Sequence, residues 1–406
     1  MLMHGFFSKL ITMKINCRKY ILFAVLPILY LCVIAANADA ATIQINRFHL
    51  YLKQGIGKAF NLETAGAIDL INKAIELEPE NPSGYAYLSM IHLFSYEMSF
   101  DLDARKKDQE AIVSYVGIAL EKGQKRLENN PKDSEAYLAM AMAKLAKVNW
   151  AIREKRYLVM AQETSNIWNY LEKASAAEPN NFDVYFLMGL LHYHIDHLPG
   201  LTHLASSLLI TSGDSKKGLK EIELAAQKGD LLRNIAQTEL LSVYMIFEKT
   251  PALALPVIRE LREKFPNNYN YLLLQANIFA ELKRFDEAFA LAREVENNIK
   301  TAKAPYSPKL QSRYNQLMGS IFFHQGDYDK ATLFFQKVQQ DTSFYNTRVR
   351  VWTLVRMGMI QDIRKDRTKA QEYYSQALEI EGGEGISKVE ARKYLQMPYV
   401  PTKKPS

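Results

Sequence analysis

The chain has 406 residues, two or three domains' worth unless it repeats, and its 48% apolar and 23% charged residues suit a folded chain with a buried core. Its 23 Tyr and 19 Phe exclude a disordered chain. The formal charge of +7 falls to +4 beyond residue 40, and Lys388, Arg392, Lys393, Lys403 and Lys404 against Glu390 hold that surplus at the end of the chain, so the body is neutral and implies no nucleic-acid partner.

Residues 1–40 read as a secretory signal. Lys9, Lys14, Arg18 and Lys19 precede an apolar run from Tyr20 to Ala36, and small residues follow in Ala36-Asn37-Ala38 and Ala38-Asp39-Ala40. Met13 offers a second start. The rival reading is an uncleaved membrane anchor, but the run is short of the roughly 20 residues that span a bilayer, and Pro27 interrupts it. Leu29-Tyr30-Leu31-Cys32 resembles a lipobox, with Leu31 where a small residue is needed. The only two cysteines, Cys17 and Cys32, lie in this segment. A processed chain would therefore have no disulfide, thiolate chemistry or Cys-bound zinc. The expectation is an exported, periplasmic protein with no stable membrane span after signal cleavage.

From residue 41 the chain repeats. A small residue and another twelve positions on recur as Gly55 and Ala67, Ser242 and Ala254, Ala276 and Ala288, Gly319 and Ala331, and Gly358 and Ala370. Two antiparallel helices need small residues where they cross closely. An apolar residue four further along the second helix (Ile71, Phe335, Tyr374) then faces back into the pair. Short polar turns such as Gly326-Asp327-Tyr328-Asp329 and Lys283-Arg284-Phe285-Asp286 reverse the chain. Pro79, Pro131, Pro179 and Pro266 close helical runs, because proline cannot continue a helix.

These residues resemble the tetratricopeptide repeat over about 47–385, with units starting near Phe48, Pro82, Ser134, Phe182, Ile235, Tyr269, Ser312 and Val351. The resemblance implies an all-α, right-handed solenoid of about eight helical hairpins over 41–385, whose inner face binds a partner. A capping helix and basic tail follow at 386–406. Three middle units depart from the spacing: Ser89 to Ala119 is 30, Ala141 to Ile167 is 26 and Gly189 to Gly218 is 29. The enlargements fall at 93–111, 148–163 and 195–212, as longer helices or loops. A long insertion before a Gly-Asp-led helix is similar to that of exported bacterial tetratricopeptide-like proteins, a looser likeness that brings no chemistry.

In this family the first helix of each unit lines the inner face. That stripe is apolar early in the chain: Leu52 and Ile56, Ala86, Met90 and Leu93, Leu138, Met142 and Leu145, Phe186, Leu190 and Tyr193, Val243 and Ile246. It turns polar in units six and seven, through Asn270, Asn277, Arg313, Gln316, Ser320 and His324. It lacks the Lys and Asn with which well-known members clamp a peptide carboxylate. Either the insertions cover the stripe as core, or it is a groove for an amphipathic helix or a hydrophobic small ligand. The candidate groove residues are Met90, Leu138, Met142, Phe186, Leu190, Tyr193, Asn277, Arg313 and His324.

Catalytic signals are weak. His192, His194, His197 and His203, with Asp196, have the residue types of a metal site. His192 and His194 fall on different helix faces, however, and His203 lies beyond Pro199-Gly200. Gly213-Asp214-Ser215-Lys216-Lys217-Gly218-Leu219-Lys220 imitates a phosphate loop, but Leu219 stands where that loop needs lysine. Asp214 or Ser215 reads better as the cap of the next helix. The reading is therefore a non-enzymatic scaffold without cofactor, binding another envelope protein. The alternative is a soluble ligand-binding component beside a solute transporter.

Overall fold

The computed structural model describes residues 44, 46–99, 101–153, 156–197, 213–341, 346–381 and 385–401. The signal at 1–40, residues 198–212 of the third insertion (with His203), Lys403 and Lys404 lie outside them. The described residues form seventeen helices and no strand. None of these helices is long and apolar enough to cross a membrane.

Sixteen helices pair into eight hairpins. They are α1 (46–60) with α2 (Thr64–Leu77), α3 (Pro82–Met98) with α4 (Leu102–Asn129), α5 (Ser134–Arg153) with α6 (Tyr157–Ala177), and α7 (Phe182–Asp196) with α8 (Ser215–Lys228). The second half comprises α9 (Arg233–Ser242, continued by a π turn Val243–Phe247) with α10 (Pro251–Lys264), α11 (Tyr269–Glu281) with α12 (Phe285–Lys300), α13 (Gln311–Gln325) with α14 (Tyr328–Gln340), and α15 (Thr347–Ile363) with α16 (Arg367–Glu379). A last helix, α17 (Ile386–Gln396), packs on α15 and α16 through buried Ala391 and Tyr394.

Local signals start these helices. Asn81 accepts from Ser83 N–H ahead of Pro82 at α3, and Asp101 accepts from the amides of Asp103 and Ala104 at α4. Asn268 caps α11 and Asp327 caps α14. The enlargements at 93–111 and 148–163 are mostly helix: α3 continues to Met98, α4 runs for 28 residues, α5 continues to Arg153 and α6 begins at Tyr157.

The crossings are as tight as the spacing requires. Ala67, Ala254, Ala288, Ala331 and Ala370 are fully buried. A β-carbon built on Gly55 would stand 2.7 Å from Ile71, one on Gly319 2.4 Å from Phe335, and one on Gly358 2.4 Å from Tyr374. In each case the obstacle is the residue four beyond the buried alanine. In the enlarged fourth unit the pair Gly189 and Gly218 does the same, since a β-carbon on Gly189 would lie 2.8 Å from the Gly218 carbonyl oxygen.

The solenoid also meets itself. His49 and Lys53 of α1 reach Asp230, just before α9, at 2.5 and 2.6 Å. Asn61 accepts from the amide of Asn267 at 3.1 Å, and Asn268 Nδ2 donates to the Phe60 carbonyl at 2.7 Å. The rings of Phe60 and Phe265 stack at 5.3 Å, and Leu62 packs into the core built around Tyr269 and Leu272. The first hairpin thus seats on the junction of the fifth and sixth, closing most of the chain into a ring.

Candidate binding cavity

The inner face holds a partly open cavity of about 1030 Å³. First helices wall it. Ile56 comes from α1, Met90 and Phe94 from α3, Trp150 from α5, Ile235 and Thr238 from α9, Asn270 and Tyr271 from α11, Arg313 from α13, and Arg348 from α15. The α1, α3 and α5 side is largely apolar, whereas the α11, α13 and α15 side is polar and cationic. Arg105, at the start of α4, adds a third guanidinium, held 4.4 Å over the Tyr96 ring.

Arg126, Arg284, Arg364 and Arg367 each pair with Asp or Glu. Arg313 and Arg348 have no ion-pair partner among the described residues, and Arg313 Nε is buried without a hydrogen-bond acceptor. Burial lowers the pKa of Arg313, opposed by the neighbouring Tyr269 phenol, whereas Arg348 lies at the exposed edge of the cavity. Tyr269 is itself pushed up, first by burial.

The sequence-derived groove residues divide. Met90 and Arg313 wall the cavity. Leu138, Met142, Phe186 and Tyr193 are buried in the core instead, and the Tyr193 hydroxyl donates to Glu248 at 2.7 Å. Leu190 is half-buried. Asn277 spends its amide on the Leu273 carbonyl of its own helix, at 3.0 Å. His324 is partly buried, and burial followed by the charge of Arg356 brings its pKa down to about 3. Arg105, Trp150 and Arg348 were absent from the stripe read along the sequence.

The other features singled out in the sequence have ordinary partners. His192 Nδ1 meets Glu221 at 2.6 Å, His194 Nε2 meets Glu239 at 2.8 Å, and His197 Nδ1 meets the Tyr193 carbonyl at 2.8 Å, so the three rings point to three places. Asp214 accepts from Lys217 N–H at 2.9 Å and caps α8.

Residues 250–308, from α10 through α12, match the family profile described as Tetratricopeptide repeat. That segment carries a tetratricopeptide repeat. No curated protein sequence matches it. Among solved structures it is similar to a human IFIT1 dimer with m7Gppp-AAAA (12% identity, 86% of this chain and 82% of that one, TM-score 0.42). It is also similar to yeast Tom70 (11%, 88% and 83%, TM-score 0.40) and to a tetratricopeptide repeat protein from Parabacteroides merdae (13%, 80% and 99%, TM-score 0.33). In the tetratricopeptide frame the cavity is the inner face of the solenoid: seven of the eight first helices reach it, and only α7 does not. Tetratricopeptide repeats are generally non-catalytic scaffolds for protein–protein interaction, which is the class of activity this architecture implies.

Proposed function

We propose that the chain is a non-enzymatic, exported scaffold of the cell envelope that engages another envelope protein, with the central cavity as its working site. The observation that carries this reading is the convergence of seven inner helices on one cavity with an apolar and a cationic side. Export rests on the basic and apolar pattern of residues 1–40. The test is affinity capture from an envelope extract. The wild-type chain, recovered with its N-terminus near Asp39 or Ala41, should enrich a partner that Met90→Gln loses at unchanged helix content. A mature chain retaining residues 20–36 would contradict the proposed export. An unaltered partner set with Met90→Gln would remove the cavity from the account.

Ring closure favours a second reading, a soluble ligand-binding component beside a solute transporter. The first hairpin seats on the fifth and sixth, and the cavity's volume is close to the roughly 300–1,000 Å³ of small-molecule pockets.

A further inference from the structure

We propose that the cavity takes a small amphiphilic anion, with its acidic head at Arg313 and Arg348 and its apolar body against Met90, Phe94 and Trp150. The inference rests on the reading of the cavity as a small-molecule site.

Repeat geometry supplies the cationic end. Asn270, Arg313 and Arg348 occupy the second or third position of α11, α13 and α15, the first helices of three consecutive units. All three residues wall the cavity. First helices in a solenoid run side by side, so three helix N-termini, two of them capped in part by Asn268 and Asn346, lie at the same end as the two guanidiniums. Among the described residues the half-buried Arg313 has no acid partner, and that is informative. A cation removed from bulk water is costly unless paired, and the guanidinium fork fits a carboxylate or phosphate with two parallel hydrogen bonds. The buried Nε of Arg313, without an acceptor, is a donor in want of one. Among the described residues three carboxylates line the cavity, and none answers this need. Glu239 is held by His194 at 2.8 Å, Glu97 is engaged in an interaction of its own, and Glu381 forms no ion pair with Arg313 or Arg348.

The opposite wall supplies the apolar end. Methionine and two aromatic side chains form a surface that can adapt to an alkyl or ring body but offers few hydrogen bonds. A ligand with one apolar and one anionic part satisfies both walls, whereas a neutral hydrophobe would leave Arg313 desolvated and unpaired. Size and closure favour a small molecule over a polypeptide. A threaded segment would have to enter a ring whose first hairpin is fastened to Asn267 and Asn268.

Titration calorimetry on the full chain tests this with dodecanoate, dodecyl phosphate and dodecanol as probes. Both anions should bind, about tenfold or more tighter than dodecanol, as expected for hydrogen bonds to a charged group. Comparing the two anions tells a carboxylate-selective from a phosphate-selective head site. Arg313→Gln and Arg348→Gln should each weaken the anions about tenfold and leave dodecanol unchanged, and Arg313→Lys should recover part of the loss. Circular dichroism monitors folding. Should Arg313→Gln unfold, the more exposed Arg348→Gln decides alone. Equal affinities for dodecanoate and dodecanol, both lost in Phe94→Asp, would overturn the anion site while keeping the cavity as a small-molecule site. If none of the three probes binds, the small-molecule reading fails and the inference falls with it. An acidic amphipathic peptide that binds in their place would assign the cavity to a protein partner.

Discussion

At Gly319 the hairpin leaves no room for a side chain: an added β-carbon would stand 2.4 Å from the Phe335 ring. Ala331 of the facing helix is fully buried. Gly319→Leu and Ala331→Leu should therefore each destabilise by overpacking, by about 1–3 kcal/mol in a chemical or thermal melt. Lys330→Ala, beside them but facing water in an exposed pair with Asp327, should be nearly silent. An unmoved melt in Gly319→Leu would mean that this hairpin packs in another register. Such positions were legible in the sequence because a small residue at a crossing is a local requirement that repeats. The cavity was legible only in part. Met90 and Arg313 belong to the inner stripe, but Arg348 sits in a first turn, ahead of the central stretch where the stripe is usually sought. Tyr193 and Phe186 have the right helical spacing and are nevertheless core, and α7 gives the cavity no wall residue; the Tyr193 ring packs edge-on against Phe247 instead. The signal that finds Arg348 is its position relative to Arg313, second or third residue of the next first helix.

Helix beginnings follow from neighbouring residues, so α3, α5, α7 and α11 start at Pro82, Ser134, Phe182 and Tyr269, where the proline and asparagine signals place them. The junction between the fourth and fifth units is held from a distance. Asp183, buried in the first turn of α7, accepts the amides of Asp230, Leu231 and Leu232 at 2.8, 2.9 and 3.2 Å, just ahead of α9. Burial pushes its carboxyl pKa up, and the three amides pull it back. Leu232 has no side-chain cap to give α9, and Asp183 instead holds the turn that leads into it, from 47 to 49 residues away. Asp183→Ala should leave those amides without their acceptor and cost about 1–3 kcal/mol. Because solenoid stability is summed over neighbours, the loss should appear first as faster amide exchange around 230–247. Unchanged exchange there would show that the turn holds itself. No pattern in the sequence around Asp183 announces this role, since its partners are set by how two units stack.

Closure of the ring is a property of the whole chain. A repeat pattern specifies each hairpin and its neighbour, but the superhelical path is the sum of small rotations across several units. The contacts that complete it join residues about 180 to 210 positions apart: His49 with Asp230, Phe60 with Asn268, and Asn61 with Asn267. That closure turns an inner face into a cavity, with the apolar side drawn from the early units and the cationic side from the late ones. The most direct test joins Asn61→Cys to Asn267→Cys in a chain also carrying Cys17→Ser and Cys32→Ser, so that only the new thiols can pair. The Asn61 side chain lies 3.1 Å from the Asn267 amide. Mild oxidation should link the two cysteines rapidly, in the monomer, without loss of helix content. Thiols that stay free and fully reactive in the folded monomer would mean that the solenoid is open and that the cavity does not exist as an enclosed site.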